Sequence, residues 1–390
     1  MKLSDKALVI TEEQALFFRA RRGFLAGNGA KTPAQCARNM LGLQSQQLAP
    51  GLLALNQRLA ARPTAKELEN HLFGSGRDLV RTWGQRDTIH IYDSQTNWAL
   101  ITSARAQWSS GGRRGGMPSP KSVPNALELA LNKGMVVKKD FLPLIDQQHL
   151  ADLDPRIGDD AAKANFACGR LVWLLSLDGY LCQGKKQGSV QTYPTRQQWF
   201  PALKWPDPTP DPLTSCVALT RRYLSVNAPA AAQDLAHYFG AKVSVARRWL
   251  GVLDAGGELV RMECGGRKDL VALADDVDEL QIKPGRSVKK WPLRLLPLWD
   301  TLLMSHRDKS WTMPDAQERS LVWRKAAHVS SVVLARGRVV AVWKMKKKGK
   351  HLDFDLQPLG SWDQATHLDD FRLESQAVAR HLELQPGVMP

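Results

Sequence analysis

Two amides stand two residues apart in the stretch Leu41-Gly42-Leu43-Gln44-Ser45-Gln46-Gln47-Leu48. On an α-helix residues two apart diverge, whereas in an extended segment they share a face, because the side-chain period is two. Gly42 just before them is a fitting helix stop. The spacing therefore predicts an extended Gln44-Ser45-Gln46 that aims both amides into one cleft, with Gln47 turned to the opposite face. Each amide accepts a hydrogen bond and donates another, which orients a water molecule, but takes up no proton near neutral pH. The chemistry that fits is attack by a positioned water on a centre whose leaving group departs easily.

The rest of the chain says what such a cleft would act on. Its 390 residues allow two to four domains, and 43% hydrophobic with 24% charged residues is ordinary for a globular protein. The charge balance is not ordinary: 54 Lys+Arg against 38 Asp+Glu leave +16, with a pI near 9.8. That excess points to a polyanionic partner, nucleic acid before an anionic membrane. No apolar run approaches the roughly 18–20 residues of a membrane span, and the opening MKLSDKALVITEEQ is too polar for a signal peptide. A soluble, cytoplasmic protein is expected.

Five cysteines without C-x-x-C spacing, an odd number, read as buried reduced thiols. The nine histidines show no H-x-x-x-H or H-E-x-x-H spacing, so no protein-held metal is expected. The absence of a Gly-rich loop ending in Gly-Lys-Ser/Thr argues against a P-loop machine, and no cofactor is expected.

The middle of the chain repeats. Residues 169–193 and 247–273 align at one offset, with Trp173 on Trp249, Leu174 on Leu250, Leu177 on Leu253 and Asp178 on Asp254. In each copy an amphipathic helix stops at a Gly. A short strand (180–182, or 259–262), a basic Gly turn and a second strand follow, the order of a winged helix. A helix over 141–147 would precede the first copy, and helices over 229–239 and 244–253 would build the second. A diverged copy near the N-terminus would use Thr32-Pro33 as a helix start, a helix over 65–73 and a wing over 79–92. After residue 285 the grammar changes: 329–334, 338–345 and 351–356 read as an antiparallel meander. The expected fold class is α+β, tandem winged-helix (helix-turn-helix) units followed by a small antiparallel β-domain, divided as 1–110, 120–205, 213–284 and 286–390. The Gly-rich 109–116 would be a mobile loop and the Pro-rich 205–212 a stiffer connection.

Basic residues crowd these features, among them Arg21, Arg22, Arg113, Arg114, Lys185, Lys186, Arg221, Arg222, Arg247 and Arg248. On tandem winged helices they read as phosphate contacts. Lys346, Lys347 and Lys348 stand at a hairpin tip, where they reach DNA or simply keep the turn soluble.

Leu41-Gly42-Leu43-Gln44-Ser45-Gln46 resembles the catalytic Gln-x-Gln motif of the AlkZ-like (YcaQ-like) winged-helix DNA glycosylases, which remove alkylated purines and unhook interstrand crosslinks. Residues 79–90, LVRTWGQRDTIH, are similar to that family's Arg-Thr…Arg-Gly-Thr-Leu-His stretch, and 295–303, LLPLWDTLL, to its Leu-Leu-Pro…Asp segment. The resemblance spans nearly the whole chain in one order. It implies that Gln44 and Gln46 are catalytic, that Arg81, Arg86 and His90 join the basic residues above in binding DNA, and that the partner is duplex DNA with alkylated or crosslinked purines, met by a monomer. Two positions depart from the pattern: Ser45 replaces a usual aliphatic residue, and Asp87 stands where Gly is expected, which bears on packing near His90. A sister branch carries Asp at the second motif position, so Gln46 groups this chain with the crosslink-resistance branch. A non-catalytic winged-helix DNA-binding protein or regulator, its glutamines mere surface, is the other reading the sequence leaves open.

Overall fold

The computed structural model describes residues 7–108, 136–207, 209–285 and 291–389. The expected loop over 109–116, with Arg113 and Arg114, lies outside the described residues, as does residue 208 of the Pro-rich stretch. The architecture is mixed α+β, with three sheets among the helices of the described residues.

Near the N-terminus, β1 (Leu8–Ile10) leads into the helix Glu12–Arg22, which starts with a capping box between Thr11 and Gln14. The helix Pro33–Asn39 begins as the sequence predicts: Thr32 accepts from the Gln35 amide at 3.1 Å and Pro33 fills the first position, where its missing N–H costs nothing. Next come β2 (Leu43–Gln44), the helices Leu48–Asn56 and Ala65–Phe73, and the hairpin of β3 (Leu79–Trp83) and β4 (Ile89–Asp93). The short β2 lies against β4, giving the order β2-β4-β3. Leu43 and Ile91 pair in register and are both fully buried in one cluster with Leu52, Leu55, Leu68 and Leu72.

The second copy of the repeat is regular. After the helix Pro212–Asn227, the helix Ala232–Phe239 stops at Gly240 in the left-handed region (φ 72°), and Val243–Ala255 follows. The last helix buries Ala246, Trp249 and Leu253 on one stripe. Its hairpin is β5 (Leu259–Cys264) and β6 (Arg267–Leu273), turning at Gly265-Gly266. β1 adds to β5 in parallel, so the first strand of the chain completes a sheet some 250 residues later.

The first copy departs from expectation. The segment before it holds a 3-10 turn, Lys138–Leu144, and a short helix, Gln147–Ala151, in place of one helix over 141–147, because Pro143 cannot supply an interior amide. Beyond the helix Asp160–Leu177, residues 180–195 make isolated bridges (Leu181 with Thr195, Gln187 with Val190) rather than a two-stranded wing. The segment still folds back on itself, with the Gly184 amide donating to the Thr192 carbonyl at 2.9 Å and Gln187 and Val190 exchanging both amide bonds at 3.0 Å, while the Gln183 amide donates to the Arg81 carbonyl at 2.8 Å and ties it to β3 of the first unit.

The C-terminal sheet runs β11-β10-β9-β8-β7, from β7 (Arg294–Leu296), β8 (Val332–Ala335), β9 (Arg338–Lys348), β10 (His351–Pro358) and β11 (Gln385–Pro386). The meander is antiparallel as expected, but β11 joins β10 in parallel. The 18-residue helix Gln364–His381, which the sequence reading missed, packs on it through Phe371, Val378 and Ala379. A fully buried ion pair clamps this part to the motif-bearing one: Arg58 donates to Asp300 twice, at 2.8 and 2.7 Å. Asp300, part of the Leu-Leu-Pro…Asp segment, therefore serves as a structural anchor. All five cysteines are buried free thiols. Among the described residues no helix is long and apolar enough to cross a membrane.

Candidate active site

The motif strand is aimed by the way the preceding helix ends. Leu41 (φ 52°) and Gly42 (φ 90°) are both left-handed, and a Cβ on Gly42 would stand 2.4 Å from the Tyr92 ring. Only glycine combines that backbone with that approach. A buried network fixes the exit. The Tyr92 hydroxyl donates to Gln85 Oε1, Gln85 Nε2 donates to the Leu41 carbonyl at 3.1 Å, and the Tyr238 hydroxyl donates to the Met40 carbonyl at 3.1 Å. The chain then runs extended: Gln44 lies opposite His90, and the Ser45 amide donates to the Ile89 carbonyl at 2.7 Å.

Gln44 and Gln46 thus alternate with Ser45 as predicted, yet their carbonyl ends are held by the protein. Gln44 is only 7% exposed, and its Oε1 accepts from Arg86 Nη2 at 2.9 Å. Gln46 is exposed, and its Oε1 accepts from the Ile89 amide at 3.3 Å, continuing the β-ladder with a side chain. The expectation of one shared cleft needs correction. Gln46 and Gln47 both line a cavity of about 560 Å³ that Gln44 does not line. The chain turns into the helix Leu48–Asn56 at Gln47, so strand alternation has already ended there and Gln47 does not face away.

The cavity is basic. Arg81, Lys185 and Lys186 line it together with Gln183 and Glu69. Arg81 is buried and donates to the Ser45 carbonyl at 2.8 Å, the Gln46 carbonyl at 3.2 Å and Gln183 Oε1. Burial lowers its pKa to about 10, which leaves it charged at neutral pH. Ser45 Oγ lies 3.3 Å from Arg81 Nε, an acceptor that the usual aliphatic residue would not supply. Arg86 donates to Gln44 and to the Tyr238 carbonyl, and lies 5.4 Å from the Tyr238 ring. Arg86 (φ 58°) and Asp87 (φ 55°) are both left-handed. That explains the departure at Asp87: the position suits glycine, and aspartate is among the few other residues that accept it.

His90 is 1% exposed; its Nδ1 lies 3.0 Å from the Thr88 carbonyl and its Nε2 is buried without a partner. Burial first, and then the Arg86 charge, lower its pKa to about 3, so the ring is neutral. Both Arg81 and His90 hold the motif strand, His90 from the buried face of β4 and Arg81 from the wall of the cavity that it lines; charge in a sequence does not reveal burial. Arg21 and Arg22 are engaged by acids, Arg22 at 2.5 Å from Asp276 and 2.7 Å from Glu279, and Arg21 at 3.4 Å from Glu279. Arg247 and Arg248 are exposed on Val243–Ala255, and Lys346, Lys347 and Lys348 at the end of β9, where Lys348 lies 2.7 Å from Asp353. Sequence reasoning missed Gln183 and Glu69. Gln183 had one signal, its place just before Gly184-Lys185-Lys186, a basic turn already suspected of facing DNA.

The family described as DNA glycosylase AlkZ-like matches over residues 37–384. The chain belongs to the AlkZ-like DNA glycosylase family. A relative named interstrand DNA cross-link repair glycosylase, from Streptomyces sahachiroi, is 24% identical over 342 residues, covering 85% of this chain and 87% of the relative. The solved structure of Streptomyces sahachiroi DNA glycosylase AlkZ is similar with a TM-score of 0.77 at 22% identity, covering 98% of this chain and all of that one. As a DNA glycosylase, this AlkZ-like chain acts on DNA, a polyanion that its +16 charge suits.

Proposed function

We propose that this AlkZ-like glycosylase hydrolyses the N-glycosidic bond of N7-alkylated purines in duplex DNA and unhooks interstrand crosslinks, as a cytoplasmic monomer that needs no metal or cofactor. The observation that carries the reading is the locked Gln44-Ser45-Gln46 strand, whose Gln46 opens onto a cavity lined by Arg81, Lys185 and Lys186. Alkylation at N7 makes guanine cationic, so it departs as a neutral base and needs no strong acid; orienting a water is then the main task. Neutral amides suit that task. A crosslinked base cannot be fully extruded into a closed pocket, and an exposed Gln46 beside surface lysines suits a lesion still tied to the opposite strand. The name of the Streptomyces sahachiroi relative points the same way.

The scaffold we propose is three winged-helix units, 1–110, 120–205 and 213–284, followed by the β-domain 286–390. The order helix, left-handed Gly240, helix and hairpin supports the third unit, the β2-β4-β3 sheet with its helices supports the first, and the fold-back of 180–195 through isolated bridges after the helix Asp160–Leu177 supports the second. Arg247, Arg248, Lys346 and Lys347, all exposed, would meet phosphates. The test is a duplex with an N7-linked interstrand crosslink, incubated with the protein and resolved on a denaturing gel beside the corresponding monoadduct. Unhooking is expected. Binding with no base released from either substrate would overturn the reading, and release from the monoadduct alone would remove crosslinks from it.

A further inference from the structure

Gln46 shares its cavity with one carboxylate among the described residues, Glu69. The helix Ala65–Phe73 presents it by plain helical geometry. Thr64 and Glu67 form the capping box, with the Thr64 amide donating to Glu67 at 2.7 Å and the Glu67 amide to Thr64 at 3.2 Å, so Glu67 is engaged at the helix start. Leu68 and Leu72 fill the core. Glu69 and Phe73, four residues apart, share the neighbouring face and both line the cavity.

Glu69 is half-buried, and among the described residues it makes no hydrogen bond or ion pair, although Arg81, Lys185 and Lys186 line the same space. Arg81 does not neutralise it, because the Arg81 N–H groups go to the Ser45 and Gln46 carbonyls and to Gln183. The amides cannot remove a proton, and each of their carbonyls already accepts from the protein.

We propose that Glu69 is a catalytic residue of this site, the carboxylate that faces the reacting sugar and takes the proton of the attacking water. The proposal rests on the alkylpurine-hydrolase reading above and supplies the base which that reading lacks. The C1′–N9 bond breaks with its electron pair going to the cationic purine, which leaves neutral. The positive charge passes to C1′ and O4′ of the sugar. Water oxygen bonds to C1′, its proton goes to the Glu69 carboxylate, and the products are the free base, an abasic sugar with a C1′ hydroxyl, and a protonated Glu69 that later releases its proton to solvent.

The experiment is single-turnover release of N7-methylguanine from a duplex, at saturating enzyme, for the wild type, Glu69→Gln, Glu69→Asp and Glu69→Ala, with affinity for undamaged duplex measured alongside. Glu69→Gln should lose roughly 10²- to 10⁴-fold in rate while binding undamaged DNA more tightly, since a negative charge beside Lys185 and Lys186 is gone. Glu69→Asp should recover part of the loss, and Glu69→Ala should regain rate when formate is added, which a merely structural residue would not show. A Glu69→Gln protein that binds DNA and releases base at the wild-type rate overturns the role of Glu69 alone. A wild-type chain that releases no base overturns the hydrolase reading and this one with it.

Discussion

Replacing Gln44 with Ala should separate stability from chemistry in a way that replacing Gln46 does not. Gln44 is nearly dry, and its Oε1 is the acceptor for Arg86 Nη2 at 2.9 Å. Truncation leaves a charged donor in a half-buried position without that partner, a penalty of about 2–3 kcal/mol at most. Arg86 keeps its bond to the Tyr238 carbonyl, which limits the loss. Gln46 is exposed and bonds the Ile89 amide at 3.3 Å, where water can take its place, so Gln46→Ala should cost no more than about 1 kcal/mol. At roughly 1.2 °C per kcal/mol for a chain of 390 residues, Gln44→Ala should unfold some 2–4 °C below the wild type and Gln46→Ala about 1 °C below at most.

Base release from N7-methylguanine duplex at 25 °C should fall in both, at the lower end of the roughly 10²- to 10⁴-fold range for a lost proton-handling group. The double variant should lose much less than the sum of the two effects. Gln44→Glu keeps an acceptor for Arg86 and should recover most of the lost midpoint. A Gln44→Ala protein that melts with the wild type, or a Gln46→Ala protein that proves the less stable of the two, would show that the Gln44–Arg86 bond does not hold the strand.

Asp300→Ala strands the fully buried Arg58 and should destabilise by about 3–5 kcal/mol, seen as a large fall in melting temperature, whereas a midpoint within a degree or two of the wild type would mean the pair is dispensable. His90 has a folded-state pKa of about 3, below its unfolded value, so the unfolded chain binds the extra proton. Its contribution is intact above about pH 6.5 and is lost as pH falls from there toward 3, about 2 kcal/mol by pH 5. A His90→Gln protein should show a flatter fall in melting temperature between pH 7 and 5, and an unchanged fall would refute the assignment. Affinity for undamaged duplex should drop steeply with salt, and replacing Arg247 and Arg248 together should flatten the log-log slope by roughly one to two units; an unchanged slope would mean that Val243–Ala255 does not meet the backbone.

The amides and their extended geometry were legible because both follow from local rules, a left-handed Gly42 and a side-chain period of two. What holds the amides was not. The partner of Gln44 depends on a left-handed turn at Arg86 and Asp87, and a Cβ on the distant Gly240 would stand 3.3 Å from Arg86 Cα. No spacing in the sequence announces that contact. Arg81 and His90 read as DNA contacts although both are nearly fully buried, because a sequence displays charge and hides burial. The helix Gln364–His381 was missed because its core stripe, Phe371, Val378 and Ala379, includes a polar Ser375 and stands beside an exposed Leu373.

The sequence's positive charge also needs a finer reading at the site than at the surface. For the proposed reaction the enzyme does not create a cation; it moves one, from the purine ring to the C1′–O4′ pair of the sugar. A uniform positive potential from Arg81, Lys185 and Lys186 raises the energy of both states equally and changes binding without changing the barrier. Only the gradient between the two positions alters the rate. Arg81 and Arg86 keep their charges on neutral acceptors, the Ser45, Gln46 and Tyr238 carbonyls and the Gln44 and Gln183 amides, so these contacts leave both charges uncancelled. Their field draws in phosphates and opposes a cation wherever it stands. A negative group on the sugar side tilts it in the productive direction more strongly than the dipole of a neutral amide does. The side of the cavity on which a carboxylate stands therefore bears on catalysis more than the total charge around it.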